Sequence, residues 1–117
     1  MRVLLDECLP RPLKREIVGH DLATVPEAGW GGKKNGELLR LAAPRFDAFV
    51  TIDQGIRFQQ NLAALTRGTS LGVITLAAFS NRIEALRPLV PHLLDALRTL
   101  RPGQLIRVTA EGIETIR

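Results

Sequence analysis

The first apolar run of the chain, Val3-Leu4-Leu5, is followed directly by two carboxylates, Asp6 and Glu7. A second such run, Phe49-Val50-Thr51-Ile52, is followed by Asp53. Short apolar runs of this kind are typical of buried strands in a parallel sheet. The carboxyl ends of parallel strands form the edge where α/β proteins bind ligands and metals, so we expect Asp6 and Asp53 to meet at that edge.

The rest of the chain alternates apolar runs with helical patterns. Besides residues 2–5, strands are predicted at five places: 21–25, 47–52, 71–76, 104–109 and 113–116. The last two predict a terminal β-hairpin, or a strand with a tail. This order of elements predicts an α/β fold with three layers, α/β/α, around a mostly parallel central sheet. At 117 residues, the chain is expected to be a single domain, 1–117.

Apolar residues spaced three and four apart predict the helices. Leu13, Ile17 and Val18 give the apolar face of a first helix. Gly19 is expected to end that helix, because glycine readily adopts the left-handed conformation found at helix C-termini. Asn35 is expected to cap the N-terminus of a second helix.

A third helical region is expected to run from a cap at Ser80 or Asn81 to Leu100, with breaks or kinks at Pro88 and Pro91. Leucines cover one broad face of its second half. This pattern fits a helix that faces the core. An exposed part of the same face would instead pair two copies of the chain, so a homodimer is the alternative use of these leucines.

Composition excludes several classes of protein. No apolar run approaches the ~20 residues needed to cross a bilayer, so no membrane association is expected. Asp6 and Glu7 interrupt the apolar start, which therefore lacks the core of a signal peptide. The single cysteine, Cys8, cannot form an internal disulfide and is interpreted as a small core-facing residue in a reducing compartment. A cytoplasmic protein is expected.

The formal charge of +4 is unevenly distributed. Residues 1–53 carry eight acids and eight bases, whereas residues 54–117 carry four acids, eight arginines and no lysine. A basic surface around an acidic pocket suits a polyanion held over metal ions. Solubility explains the same net charge equally well.

Glu37, in the first turn of the second predicted helix, adds a third acid to Asp6 and Asp53. A carboxylate at that position also favours the helix dipole, so a structural role explains it as well. Acids that converge without lysine or histidine partners repel one another unless a cation lies among them. Mg²⁺ and Mn²⁺ prefer such hard oxygen ligands and activate water for phosphodiester cleavage.

Three segments resemble the acidic motifs of PIN-like ribonuclease domains, specifically the small PIN-like proteins that are similar to toxins of toxin-antitoxin pairs: Leu4-Leu5-Asp6-Glu7, Asn35-Gly36-Glu37-Leu38-Leu39 and Val50-Thr51-Ile52-Asp53. The resemblance covers nearly the whole chain. It implies a PIN-like fold, Mg²⁺ or Mn²⁺ as cofactor, single-stranded RNA as substrate and a cognate antitoxin protein as partner. By the same resemblance, Asp6, Glu37 and Asp53 are the catalytic and metal-binding acids.

Two positions depart from the PIN-like pattern. Gly55 stands where many PIN domains have an acid, and Asn35 stands where many relatives have Asp. Asn35 can still cap a helix, whereas Gly55 removes a potential metal ligand. Glu7 is a further candidate ligand if the first strand ends before it, because neighbouring strand residues point to opposite faces. A catalytically degenerate PIN-like module that binds RNA or protein is the alternative function.

Contacts with RNA are expected from polar side chains near the acidic motifs: Lys33, Lys34, Arg57, Gln59, Gln60 and Asn61. Ordinary solvent exposure explains the same residues equally well. Trp30 could stack on a base, as aromatic residues do in single-strand binding. Packing of its loop is the favoured interpretation, because the chain has four phenylalanines, one tryptophan and no tyrosine.

A phosphoryl-accepting receiver domain has a similar layout, with an acid pair after the first strand and an aspartate after the third. Receiver domains also need a lysine late in the sequence to pair with the phosphoryl group. The lysines here are Lys14, Lys33 and Lys34, all in the first third of the chain. The receiver interpretation is therefore disfavoured.

Overall fold

The computed structural model describes residues 1–58 and 69–116, with the backbone alone at 57 and 58, and this part of the chain forms one six-stranded sheet. Its strands are β1 (Arg2–Leu5), β2 (Asp21–Thr24), β3 (Ala48–Thr51), β4 (Gly72–Leu76), β5 (Leu105–Thr109) and β6 (Gly112–Thr115). They lie in the order β2-β1-β3-β4-β5-β6. Every neighbouring pair is parallel except β5 and β6, which form an antiparallel hairpin. The predictions of an α/β fold, a mostly parallel sheet and a terminal hairpin are confirmed.

Helical segments connect the strands. The α-helices are α1 (Leu13–Glu16), α2 (Asn35–Ala42), α3 (Ile83–Leu86) and α4 (Val90–Thr99), with 3₁₀ turns at Gln54–Phe58 and Arg87–Leu89. Within the described ranges, no helix has the length and apolarity needed to span a bilayer. Val18 was expected on the apolar face of the first helix, but its side chain is 67% exposed. Because Ile17 already leaves helical geometry with φ −97° and ψ 84°, Val18 no longer lies on a helical face.

The two prolines interrupt the third helical region as expected. Pro88 lies in the 3₁₀ turn between α3 and α4, and Pro91 lies in the first turn of α4, where a missing N–H leaves no helical bond unmade. The predicted cap at Ser80 or Asn81 is wrong, since Arg82 occupies the N-cap position of α3. The Asn81 amide instead donates to the backbone carbonyl of Cys8 at 3.1 Å.

Two apolar cores cover the two faces of the sheet, because side chains alternate along each strand. Val3 and Leu5 of β1 belong to one core, which also contains buried residues of α1 and α4. Leu4, between them in β1, and Phe49 of β3 belong to the other core, together with buried residues of α2. Burial on both faces explains why the strands are continuous apolar runs instead of alternating ones.

The leucine face of α4 lies in the core. Leu93 and Leu97 are fully buried, and Leu94 is partly buried against the same cluster. Core packing therefore accounts for the pattern that also suggested a homodimer. The homodimer stays a prediction, and it would need a different surface.

Candidate functional site

The hydroxyl group of Thr51 links the two acids that follow β1 and β3. Thr51 is fully buried, donates to Asp6 Oδ2 at 2.6 Å and accepts from the backbone N–H of Asp53 at 3.1 Å. The register pairs Leu5 with Val50, and the Asp6 N–H continues that pairing to the Val50 carbonyl at 2.9 Å. The structure therefore brings Asp6 and Asp53 together at the carboxyl edge of the sheet, here called the acidic rim.

Uncharged donors hold the remaining carboxylate oxygens of the acidic rim. Asp6 Oδ1 accepts from the backbone N–H of Glu7 at 2.8 Å. Asp53 Oδ1 accepts from the N–H of Gly55 at 2.9 Å, and its Oδ2 accepts from the side-chain amide of Asn35 at 3.0 Å. Among the described residues, neither aspartate has an ion-pair partner. The described residues thus supply neutral donors, and no protein cation, to the two aspartates of the rim.

Asn35 has a different role from the predicted one. The helix α2 begins at Asn35 itself, Lys34 occupies the N-cap position, and no side-chain cap is formed. The amide of Asn35 instead reaches Asp53, so it ties the start of α2 to the acidic rim. Sequence reasoning missed this contact because the helix starts one residue earlier than a cap at Asn35 requires.

Glu37 does not join the two aspartates. Its carboxylate accepts from Lys33 Nζ at 3.2 Å, and its side chain is 56% exposed. Since Leu38 and Leu39 face the core, Glu37 lies on the outer side of the helix. Accordingly, no three of the described His, Cys, Asp and Glu residues form a group that could hold a metal ion. Asp6 and Asp53 thus lie at the same rim. Glu37, the third predicted acid, is instead paired with Lys33, a predicted RNA contact.

Glu7 points toward the loop that precedes α2. Both of its carboxylate oxygens lie within reach of the Gly32 N–H, at 3.1 and 3.2 Å. Asp6 and Glu7 also line a cleft of about 400 Å³ at the carboxyl ends of β1 and β2. The other residues that line this cleft are Leu9, Arg11, Thr24, Pro26 and Glu27.

Gly55 allows a tight turn after Asp53. Its N–H donates to Asp53 Oδ1, and a Cβ atom at this position would lie 3.1 Å from the same oxygen. An aspartate at position 55 would therefore crowd Asp53 unless that side chain moved. The tight turn after Asp53 therefore favours glycine at position 55, where many PIN domains have an acid.

The remaining predicted RNA contacts divide into two groups. Lys34 is exposed and has no ion-pair partner among the described residues. The side chain of Arg57 and the whole of Gln59, Gln60 and Asn61 lie outside the described residues.

Trp30 packs within the protein, as the favoured interpretation held. Its side chain is 9% exposed and meets Phe46 edge to face, with ring centroids 6.1 Å apart. The guanidinium carbon of Arg45 lies 5.4 Å from the centroid of the indole ring. The indole is thus occupied by protein neighbours on its edge and face.

Cys8 lies beside the acidic rim. Its Sγ is 3.7 Å from Thr51 Oγ1, and the residue packs against the core that contains Val3 and Leu5. Burial, with a smaller contribution from the nearby charge of Asp6, raises the pKa of the Cys8 thiol above 9.0. The thiol is therefore neutral at physiological pH and a poor nucleophile.

Thr51 is the site residue that sequence reasoning missed, because its β-branched side chain is also an ordinary strand residue. The available signal was its position two residues before Asp53 in an otherwise apolar strand. A buried hydroxyl needs a hydrogen-bond partner, and the acids at the ends of the neighbouring strands are the nearest candidates.

An ion pair borders the cleft beside Asp6. Lys14 Nζ lies 3.0 Å from both carboxylate oxygens of Glu27, and the Thr24 N–H donates to Glu27 Oε1 at 2.8 Å. The hydrogen bond from Lys14, followed by those from Thr24, lowers the pKa of Glu27 from 4.5 to about 2. Glu27 is therefore ionised at neutral pH, and Lys14 offsets its charge.

The donor set of the acidic rim fits a hard divalent cation. Mg²⁺ usually binds through one or two carboxylates and completes its coordination with water and substrate phosphates. Asp6 and Asp53 supply two carboxylates that no described protein cation neutralises. Glu37 is not part of this set while it is paired with Lys33.

No protein-family model, curated protein or solved structure matches this chain. The indications of function come from the chemistry of its own residues. They centre on the acidic rim and the cleft beside it.

The Thr51 hydroxyl is expected to stabilise the fold through its bond to a charged group. We predict that Thr51→Val lowers the free energy of unfolding by ~1.5–3 kcal/mol, because Asp6 and the Asp53 N–H lose their partner. The matched control is Thr51→Ser, which keeps the hydroxyl and should lose only about 1 kcal/mol for the missing methyl group. Urea denaturation measures both. A valine variant as stable as the wild type would contradict the prediction.

Glu27 gives a prediction for pH. Its folded-state pKa of about 2 lies below the ordinary 4.5, so the stabilisation from its ion pair is complete above pH 4.5 and is lost as the pH falls toward 2. We expect the Glu27 carboxyl carbon to titrate near pH 2 by NMR, and Lys14→Met to move the midpoint toward 4.5. Lys33→Met should leave it unchanged. A wild-type midpoint already near 4.5 would contradict the ion pair.

Proposed function

We propose that the protein is a metal-dependent endoribonuclease of PIN-like type that cleaves single-stranded RNA, with the three-layer α/β/α arrangement of that class. The observation that carries the proposal is the pair of aspartates joined by the buried Thr51 hydroxyl. Acids that share a rim without a protein counter-charge are candidates for binding a cation or a substrate. Their place at the carboxyl edge of a parallel sheet supports a functional role.

Each rim residue has a distinct task in this proposal. Asp6 and Asp53 would hold Mg²⁺ or Mn²⁺, which when bound supplies Lewis acidity and activates water for attack on phosphorus. The Thr51 hydroxyl group fixes the carboxylate of Asp6 by a hydrogen bond. Asn35 and Gly55 fix the carboxylate of Asp53 in the same way. The ligands are thus oriented before a cation arrives.

Glu37 enters the proposed site by exchanging partners. Its exposed pair with Lys33 spans one helical turn, and pairs of this kind contribute only ~0.3–0.5 kcal/mol. In the proposal, an RNA phosphate binds Lys33, and Glu37 is released toward the cation. The same pair therefore connects substrate binding with completion of the site.

The toxin role belongs to the same proposal and rests on the resemblance of the acidic motifs. A cognate antitoxin protein would be its partner, and the cytoplasm its location. The homodimer also remains a proposal, with a surface other than the leucine face of α4.

A catalytically degenerate PIN-like binding module is the second candidate. Two observations favour it: Glu37 is paired with Lys33 instead of the aspartates, and Gly55 stands where many PIN domains have an acid. Such a module would bind RNA or protein and cleave nothing.

Cleavage assays separate the two candidates. With Mn²⁺ or Mg²⁺, wild type should cut a single-stranded RNA, and Asp6→Asn or Asp53→Asn should slow cleavage by more than ~100-fold, since even outer-shell changes cost about that much. The matched control is Asp47→Asn, because Asp47 precedes β3 at the opposite edge, where it accepts from the Arg2 N–H at 2.8 Å. It should cleave at the wild-type rate.

Other outcomes of this assay are equally informative. Cleavage that persists in EDTA, or that survives both rim substitutions, would assign the activity to another site. RNA binding without cleavage in either metal would favour the binding module. Equal losses of cleavage in Asp6→Asn, Asp53→Asn and Asp47→Asn would show that cleavage depends on the net charge of the protein and not on the acidic rim.

Metal binding has a readout that does not depend on activity. Removing one of two adjacent charges relieves repulsion, and an asparagine oxygen can still accept from Gly55. We therefore expect Asp53→Asn to keep or raise the melting temperature in EDTA and to lose the rise that Mn²⁺ gives wild type. Thermal scans in EDTA and in Mn²⁺ test this. Strong destabilisation in EDTA would mark Asp53 as a structural residue instead.

A further inference from the structure

A second cleft lies next to the one beside Asp6. It measures about 430 Å³ and is lined by Arg11, Pro12, Lys14, Arg15, Thr24 and Glu27. Three of these residues, Arg11, Thr24 and Glu27, also line the cleft of Asp6 and Glu7. The two clefts therefore form one continuous depression, here called the α1 groove, which leads from the acidic rim across the end of β2 to the start of α1.

The charge of the α1 groove changes along its length. The rim end carries Asp6 and Glu7, Arg11 lies where the two clefts meet, and the far end carries Lys14 and Arg15. Lys14 is offset by its pair with Glu27, so the far end keeps a net positive charge.

Arg11 and Arg15 are available to an external anion. Both are exposed, and neither guanidinium group has an acidic partner or a hydrogen bond among the described residues. In contrast, several other arginines are already engaged: Arg82, Arg87, Arg98 and Arg107 have carboxylate partners. Guanidinium groups bind phosphates through two parallel hydrogen bonds, which makes phosphate the fitting ligand.

We propose that the α1 groove binds the phosphates of a single-stranded RNA next to the bond at the acidic rim, with Arg11 and Arg15 as the phosphate contacts. The inference rests on the proposed function for the identity of the polyanion as RNA. Aspartates can approach a phosphate only across a cation, whereas arginines can hold the neighbouring phosphates directly. Arg11 and Arg15 thus position the strand on the side of β2.

Binding can be tested without cleavage. The probe is a fluorescein-labelled ten-nucleotide oligouridylate, titrated in EDTA and followed by fluorescence anisotropy at several salt concentrations. The test variant is Arg11→Gln with Arg15→Gln. The matched control is Arg2→Gln with Arg101→Gln, which removes the same charge from two exposed arginines at the opposite edge, one at the start of β1 and one shortly before β5.

The test variant should bind the oligouridylate about 10- to 30-fold more weakly near 0.1 M salt, and its slope of log K against log salt should fall by roughly 1.4, since each single-strand phosphate contact contributes about 0.7. The control pair should bind like wild type. Circular dichroism melts of both variants confirm that they fold, because all four arginines are exposed.

Four outcomes would overturn the proposed role of the α1 groove. Equal weakening in both variants would show that binding follows net charge. If the test variant binds RNA as tightly as wild type, and wild type still cleaves RNA, the groove is not the RNA-binding site and the proposed nuclease function stands. Tighter binding of a labelled ten-residue polyglutamate, lost in the test variant, would assign the groove to an acidic protein partner. If wild type neither binds nor cleaves RNA, both the proposed function and the groove fail.

Discussion

The parallel pairing of β1 with β3 is the constraint on which the other features depend. Its register sets Val3 beside Ala48, Leu4 beside Phe49 and Leu5 beside Val50. Both strands are buried on both faces, so a shift of one residue would exchange the two cores and move every side chain to the wrong side. The same register places the residue after Leu5 next to the Thr51 hydroxyl. The rim geometry is therefore a by-product of core packing.

The rim holds its two aspartates with neutral donors alone. Neutral donors stabilise a carboxylate by hydrogen bonding but bring no opposite charge. Asp6 is half-buried, which adds a desolvation penalty. Several other described acids have a basic partner, as in the pairs of Lys14 with Glu27 and Arg87 with Glu16. The rim differs from these sites because, among the described residues, neither of its aspartates has an ion-pair partner.

The sequence predicted those parts that follow from local patterns. Apolar runs located the strands, and the strand ends placed Asp6 and Asp53 at one edge. Side-chain direction was harder to predict. Asn35 was assigned to a helix cap, but its amide reaches Asp53, 18 positions away in the chain. Glu37 is turned outward because Leu38 and Leu39 take the core side, and Lys33 one turn earlier then binds it. The directions of both side chains depend on tertiary contacts, which the spacing of residues along the sequence does not predict.

The sheet order also determines when the rim can exist. β1 is the first strand to be synthesised, but its neighbour on the inner side of the sheet is β3. The hydroxyl group that donates to Asp6 belongs to Thr51, which lies 45 positions later in the chain. Closing so long a loop has an entropic cost that local contacts do not have, so the pairing belongs to the later, cooperative part of folding. A nascent chain that has not yet released residues 48–53 carries Asp6 with no partner. The acid pair is consequently a property of the folded chain alone, because Asp6 and Asp53 lie at one rim only after β1 has paired with β3.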